Sequence, residues 1–292
     1  MADEKSPGSG FEQTSAGKPP SSTGEEGMTH FGFRAVSERE KGSWVRNHFD
    51  TVAQKYDLMN TLLSFGIHYL WKRTAIKMLA LREGDVILDV CGGTGDLSVL
   101  AIRQGGPATK AVLYDINRAM MEAGKRKSTH AEARKKIRYV QGDAERLPFP
   151  AGTFDAAVVG FGIRNLTHME EGLREMYRVL KPGGRFVCLE FSQPRTRWFR
   201  VLYDFYSFHI MPLLGRLVVG SRQAYTYLPE SIRLFPAPDE LARRLEKIGF
   251  QTVCYRLLTD GIAAIHRGEK PGRRDNEPER KIHPQVANEV LQ

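Results

Sequence analysis

The stretch DVCGGTGD (89–96) places Gly92, Gly93 and Gly95 directly after a short apolar run, with an acid at each end. Glycines there let the backbone turn tightly and approach a ligand, and the helix that follows offers unpaired N–H groups. Some twenty residues on, Asp115 closes a second apolar run, where a carboxylate can hold both hydroxyls of a ribose. A third acid, Asp143 in QGDAERLPF, can take an adenine amino group, with Ala144 and Leu147 flanking the ring. Gly and Asp are common in any turn after a strand, so the set carries the nucleoside reading and no single residue does. A second stretch, FGIRN (161–165), puts Arg164 just past another apolar run, either as a surface cation closing a turn or as a charge aimed into a site.

Two cofactors share the glycine-loop logic. A nicotinamide dinucleotide wants a third glycine three places after Gly95, but Ser98 stands there, and Asp96 sets a negative charge where a pyrophosphate would lie. S-adenosylmethionine carries a sulfonium and an amino group and no phosphate, so nearby carboxylates help it. The expected cofactor is S-adenosylmethionine, and Asp89, at the end of VILDV, joins the glycines in the expected binding set.

These residues need a frame. VILDV (86–90), AVLYD (111–115), IRYVQGD (137–143), FDAAVVG (154–160) and RFVCLEF (185–191) read as strands. Helical patterns at 96–104, 118–134 and 168–180 separate them, and the last repeats apolar residues at 169, 173, 176, 177 and 180. A capped helix at 239–248 precedes QTVCYRLL and GIAAIHRG, which suit a closing hairpin. The alternation predicts an α/β fold, a doubly wound, mostly parallel seven-stranded sheet. Ligands of such sheets bind at the carboxyl ends of the strands, where Asp89, Asp115, Asp143 and Arg164 fall.

Composition narrows the classes. Residues 1–30 and 269–292 are rich in Gly, Pro, Ser and charge and read as disordered tails. The first carries a net −3 and the second is neutral, so the overall +9 leaves about +12 on residues 31–268. Such a core suits anionic partners, lipid head groups and nucleic acid among them. No apolar run approaches the length of a membrane span, and the first thirty residues have no signal-peptide core. Cys91, Cys188 and Cys254 lie far apart, with no CxxC or Cys/His cluster, so no metal or disulfide is expected and a cytoplasmic setting fits.

Two longer stretches, YDLMNTLLSFGIHYLWK (56–72) and RNLTHMEEGLREMYRVLKPGG (164–184), with DVCGGTGD, LEFS and YTYLPESI beside them, carry a resemblance. The chain resembles the class I S-adenosylmethionine-dependent methyltransferases, and within them the menaquinone and ubiquinone C-methyltransferases of the UbiE type, over about residues 31–268. The resemblance implies a Rossmann-like domain with an N-terminal helical segment and a helical insert, about 195–236, after the fifth strand. It implies methylation of a ring carbon of a polyprenylated quinol, with Thr94, Asp115, Asp143 and Ala144 contacting the cofactor. A further cofactor position, often Ser in that family, is Gly160 here, where only backbone can serve; Cys91 stands where Ala is frequent.

C-methylation needs an electron-rich ring carbon in line with the sulfonium methyl. A quinol hydroxyl, with a pKa of about 10, must lose its proton or be stabilised as it ionises. Arg164 stays charged at pH 7 and cannot be the base, but it can hold the oxyanion. A surface ion pair with Glu171 or Glu175 is the alternative, and Asn165 suits either a helix cap or substrate contact. Tyr56 can orient the quinol or serve as a core aromatic. His68 has the pKa for a base, and equally the setting of a structural His beside Tyr69 and Trp71.

The insert RTRWFRVLYDFYSFHIMPLLGRLVVGSRQAYTYLPESI mixes aromatics with Arg195, Arg197, Arg200, Arg216 and Arg222, as an interfacial helix does. It is expected to roof the quinol pocket and to touch the inner face of a membrane transiently, or simply to cap the sheet. A homodimer stays open. Three rivals are a methyltransferase for another small lipid, such as a sterol, a cofactor-binding module without turnover, against which the intact glycine loop and Arg164 argue, and an RNA-binding methyltransferase using AGKRKSTHAEARKKIR (123–138). That basic patch lacks interleaved aromatics, so nucleic acid is not expected.

Overall fold

The computed structural model describes residues 27–127, 129–219 and 222–272. An antiparallel hairpin, β1 (Met28–Phe31) and β2 (Arg34–Ser37), leads into α1 (Glu38–Val52), α2 (Tyr56–Leu63) and α3 (His68–Leu79). The main sheet follows: β3 (Val86–Val90), β4 (Lys110–Asp115), β5 (Ile137–Gln141), β6 (Phe154–Gly160), β7 (Leu180–Phe191), β8 (Gln251–Leu258) and β9 (Ala263–Glu269). Its helices are α4 (Asp96–Gly105), α5 (Arg118–Lys125), α6 (Ala131–Arg134), α7 (Met169–Val179), α8 (Arg197–Phe205), α9 (Met211–Val219), α10 (Arg222–Leu234) and α11 (Pro238–Ile248).

The spatial order is β5-β4-β3-β6-β7-β9-β8, parallel from β5 to β7, with β9 antiparallel to both of its neighbours. Strand order reverses between β3 and β6, so the loops after these strands diverge and leave a crevice. Alternation along the strands builds two cores. Leu88, Val90, Ala157, Val159, Phe186 and Cys188 face Leu173 and Met176 of α7 and Leu241 and Leu245 of α11. Ile87, Ala156, Val158, Val187 and Leu189 face Trp71, Ala75 and Ile76 of α3 and Leu97 and Ala101 of α4. Burying each large side chain contributes about 1.5–3 kcal/mol, so these layers hold the strand ends, and the site, in place.

Two local expectations change. The helix expected over 118–134 stops at Lys125 and resumes only as α6, because the chain turns out and Lys127 reaches Asp96 and Thr94. The strand expected from 185 begins at Leu180, since KPGG forms an irregularity opposite Phe154 and Ala156, with Gly183 at φ +75°. The hairpin β1–β2 had no signal in the sequence reading. Except for residues 27–30 and 269–272, the expected tails lie outside the described residues. No helix among those described is long and apolar enough to cross a membrane.

Candidate functional site

Two cavities meet at the carboxyl edge of the sheet. The smaller is lined by Cys91 and Gly93 after β3, Asp115 and Ile116 after β4, Gly142 to Glu145 after β5, and Gly160 to Gly162 after β6. Its charged lining residues are Asp115, Asp143 and Glu145, with no Lys or Arg among them. A cavity of that sign suits a cationic sulfonium and hydroxyl-bearing sugar and repels a phosphate.

Asp115 accepts from Gly93 N–H at 2.8 Å and from Asn117 N–H at 2.7 Å, which locks the glycine loop to the end of β4. Burial pushes its carboxyl up to about 6 against the pull of those two bonds. Cys91 and Phe161 both line the cavity with left-handed backbone, φ +53° and +57°, a conformation that residues with a Cβ seldom adopt away from functional sites. A Cβ on Gly160 would sit 2.5 Å from Leu97 Cδ1, so the glycine admits the close packing of α4 beneath the site.

Other expected members stand behind this wall. Asp89 is fully buried and accepts from Ser98 N–H at 3.0 Å and Ser98 Oγ–H at 2.6 Å, while burial pushes its carboxyl up to about 7. Gly92, Thr94 and Gly95 shape the loop from the same side, outside the cavity lining. The Thr94 hydroxyl donates to Asp57 Oδ1 of α2 at 3.1 Å, and Lys127 donates to it at 2.9 Å. Asp96 faces Lys72 at 2.8 Å and Lys127 at 2.9 Å; despite burial, these two cations hold its carboxyl far below the usual range. Its charge is therefore spent on them and does not face the cavity. Leu147 belongs to the core rather than to the cavity wall.

Gly124 of α5 had no signal in sequence. A Cβ there would lie 2.5 Å from Thr94 O, so only glycine lets the helix back onto the loop. Gly124→Ala should raise helix propensity yet destabilise by about 1–3 kcal/mol and weaken cofactor binding at least tenfold. Thermal unfolding and calorimetry read both effects.

α1 covers the cavity with Gly42, Val45 and Phe49. It is tied down by Lys41 Nζ to Leu166 O at 2.7 Å, by Asn117 Nδ2 to Asp50 Oδ1 at 2.9 Å, and by Glu38 to His168 at 3.2 Å. The space is about 90 Å³, small beside the roughly 300 Å³ at the low end for ligand sites, and α1 is among the elements that narrow it. His168 also meets Glu145 at 2.9 Å, and that hydrogen bond raises its pKa above the ordinary 6.5. Its extra hold on α1 is complete below about pH 6.5 and lost as pH rises through the raised value. Backbone hydrogen exchange over residues 38–52, corrected for intrinsic rate, should therefore speed up from pH 6.5 to 8.5, and His168→Gln should flatten that rise. Glu171 brings a third ligand atom within 4.8 Å of Glu145 and His168, but those two are already engaged with each other.

The larger cavity, about 800 Å³, lies between α1, α2, α3 and the insert. Phe49, Tyr56 and Phe161 line both cavities and form the partition between them. The lining is mostly aromatic and aliphatic, with Arg164, His48, His68 and Lys72 as its ionisable cations and imidazoles.

Arg164 is buried and pairs with Glu190 Oε1 of β7 at 2.7 Å, not with Glu171 or Glu175. Its Nη1 also donates to Phe161 O at 2.6 Å and its Nε to Ser231 Oγ of α10 at 3.3 Å. Burial pushes the Glu190 carboxyl up, Arg164 opposes that, and Glu190 keeps the guanidinium charged against its own burial. Asn165 is bonded by Tyr227 O–H at 2.7 Å, which packs the insert onto this loop; it lines the smaller cavity, and His168 rather than Asn165 stands at the cap of α7. His68 is buried with no partner on Nδ1, and burial with Lys72 nearby lowers its pKa to about 4. His48, absent from the sequence reading, has the same value from burial and the neighbouring Arg164. Both imidazoles are neutral at pH 7. Tyr56 stacks edge-on against Phe49, with ring centroids 6.1 Å apart, at the partition.

Comparison with known proteins adds five findings. The model of the ubiE/COQ5 methyltransferase family matches residues 34–270. The ubiquinone/menaquinone biosynthesis C-methyltransferase UbiE of Methylococcus capsulatus is 47% identical over 245 residues, 84% of this chain and 99% of that one. Its counterpart in Haemophilus ducreyi is 50% identical, covering 83% and 93%. Among solved structures, the cyclase SpnF superposes with a TM-score of 0.58 at 15% identity, over 80% of this chain and 97% of its own. An S-adenosylmethionine-dependent methyltransferase of Thermotoga maritima gives 0.54 at 19%, over 77% and 99%. These two show the fold alone, and a cyclase among them shows that the fold does not dictate the reaction.

Proposed function

The chain belongs to the ubiE/COQ5 methyltransferase family, and from that premise we propose that it methylates a ring carbon of a polyprenylated quinol in respiratory quinone biosynthesis. The acceptor is demethylmenaquinol, a 2-polyprenyl-6-methoxy-1,4-benzoquinol, or both. One observation supports this best: an acidic cavity and an apolar cavity holding a buried Arg share the partition Phe49, Tyr56 and Phe161. S-adenosylmethionine, when bound, supplies an electrophilic methyl on a sulfonium. The quinol's ring carbon would take that methyl with its own π electrons, the cofactor would be left a neutral thioether, and the quinol would release one proton, so the exchange balances.

The chain's own residues hold and shield these partners. Asp115 and Asp143 carry the ribose and adenine contacts, and Gly93, Ala144 and Gly160 supply backbone and space. Asp89, Gly92, Thr94 and Gly95 act by fixing the loop. Arg164 holds the quinol oxygen as negative charge grows on it, in a water-poor cavity where such an interaction is strong. Tyr56 orients the ring at the partition; His68, with His48 beside Arg164, faces the quinol as a neutral imidazole, and a pKa lowered to about 4 makes it a hydrogen-bond partner rather than the base that an ordinary imidazole would be. The catalytic domain spans 31–268, with 195–236 as its insert. The isoprenoid tail brings contact with a membrane surface into this reading; a sterol or RNA substrate gains no support from the relatives. Incubation with methyl-labelled S-adenosylmethionine and reduced demethylmenaquinone or the benzoquinol should label the ring, and transfer to neither would overturn the proposal.

A further inference from the structure

The large cavity opens through an apolar mouth. Phe65, Leu70, Leu202, Phe205 and Ile210 line it and are also exposed. The apolar surface continues beyond the mouth. On α8, Trp198, Val201, Leu202 and Phe205 recur at helical spacing with exposures of 54–71%, and Tyr203 is the buried residue of that helix. A helix on a protein surface normally turns such a stripe inward; this one is inside out. Leu213 and Leu217 extend the stripe along α9. Across the mouth, the corner between α2 and α3 adds Leu58, Leu62 and Tyr69. At its tip Phe65 is 87% exposed with φ +50°, followed by Gly66 at φ +76°, and its ring centroid lies 6.3 Å from that of Tyr206.

We propose that this lip docks on an anionic lipid surface, so that the quinol's tail passes from the bilayer into the cavity without crossing water. The inference rests on the quinol reading above and adds to it the face, the α2–α3 corner and the lipid charge. Charge decides the occupant. Residues 195–219 carry Arg195, Arg197, Arg200 and Arg216 against one acid, Asp204, which is itself paired with Arg233. Arg73 on α3 and Arg197, Arg200 and Arg216 beside the stripe are exposed. A second copy would bring the same cations face to face, whereas anionic head groups neutralise them while the apolar centre reaches the acyl boundary. Exposed apolar area of this extent on one face is what an interaction site presents.

The test uses the full chain, a Trp198→Glu/Val201→Glu variant and, on the other helix, Leu217→Glu. None of these positions lines either cavity. Flotation with phosphatidylglycerol/phosphatidylethanolamine vesicles should retain the wild type at least tenfold more strongly than phosphatidylcholine vesicles do, and less so as salt rises. Both variants should lose at least tenfold in retention. They should methylate a quinol bearing one isoprene unit in solution at the wild-type rate, but a long-tailed quinol held in vesicles at least tenfold more slowly. Equal retention of wild type and variants, or no preference for anionic vesicles, would overturn the docking. So would a wild-type dimer in sedimentation velocity that the substitutions dissolve. Failure of the quinol reading looks different: the short-tailed quinol stays unmethylated by wild type and variants alike, whatever the vesicles do.

Discussion

Arg164→Lys should lower kcat by about 10²–10³ while cofactor affinity stays within twofold, because the residue lines the large apolar cavity and not the acidic one. Lysine keeps the charge that Glu190 needs but loses the planar fork that reaches Glu190, Phe161 O and Ser231 together. The choice of lysine matters. Arg164→Ala would strand Glu190, 1% exposed, as a lone buried carboxylate and cost about 3–5 kcal/mol of stability, which would confuse a catalytic loss with a folding one. Glu190→Gln is the matching test of the pair: it keeps the shape and an acceptor oxygen but leaves the buried guanidinium charged and unpaired, so kcat and thermal stability should both fall. Stopped turnover with calorimetric cofactor binding unchanged supports the oxyanion role. A parallel collapse of cofactor affinity would show instead that Arg164 holds up the partition through Phe161.

The residues that sequence resolved and those it did not divide by range. Strand runs and the DVCGGTGD loop are local signals, and β3, β4 and β6 fall within a residue of their expected bounds. Asp115 and Asp143 were legible because a strand's end and a turn place a carboxylate without help from distant chain. The partner of Arg164 was not. Glu171 and Glu175 are near in sequence, whereas Glu190 reaches Arg164 only because β6 pairs with β7. A carboxylate inside the apolar run RFVCLEF was the available hint, since a buried charge needs a partner. His48 escaped notice because its setting comes from Phe31, Tyr227 and Arg164, three separate elements. The α8 stripe was legible as a pattern, but periodicity fixes only which residues share a face and not whether that face turns toward core or solvent.

Asp115→Asn should weaken cofactor binding about 10²-fold, since two ribose hydroxyls would lose a charged acceptor and each such bond contributes about 1.5–3 kcal/mol. Asparagine holds the shape and still accepts one backbone N–H, so the fold should survive. The pH dependence makes the assignment specific. The ligand-free carboxyl sits at about 6, raised by burial, while the ribose needs it ionised. Affinity should therefore climb with pH to about 6 and level off above it, and the Asn variant should lose that step. Folding runs the other way. A carboxyl with a raised folded value binds its proton more tightly in the native state, so its contribution to stability is full below about pH 4 and is lost as pH rises through 6. Asp89, at about 7 and outside the cavity, shares the stability trend and should have no part in the binding step. Calorimetric affinity and urea midpoints measured from pH 5 to 8 would then move in opposite directions in the wild type. Were they to move together, the carboxylate facing the ribose would be another acid, and Asp143 would be the next to replace.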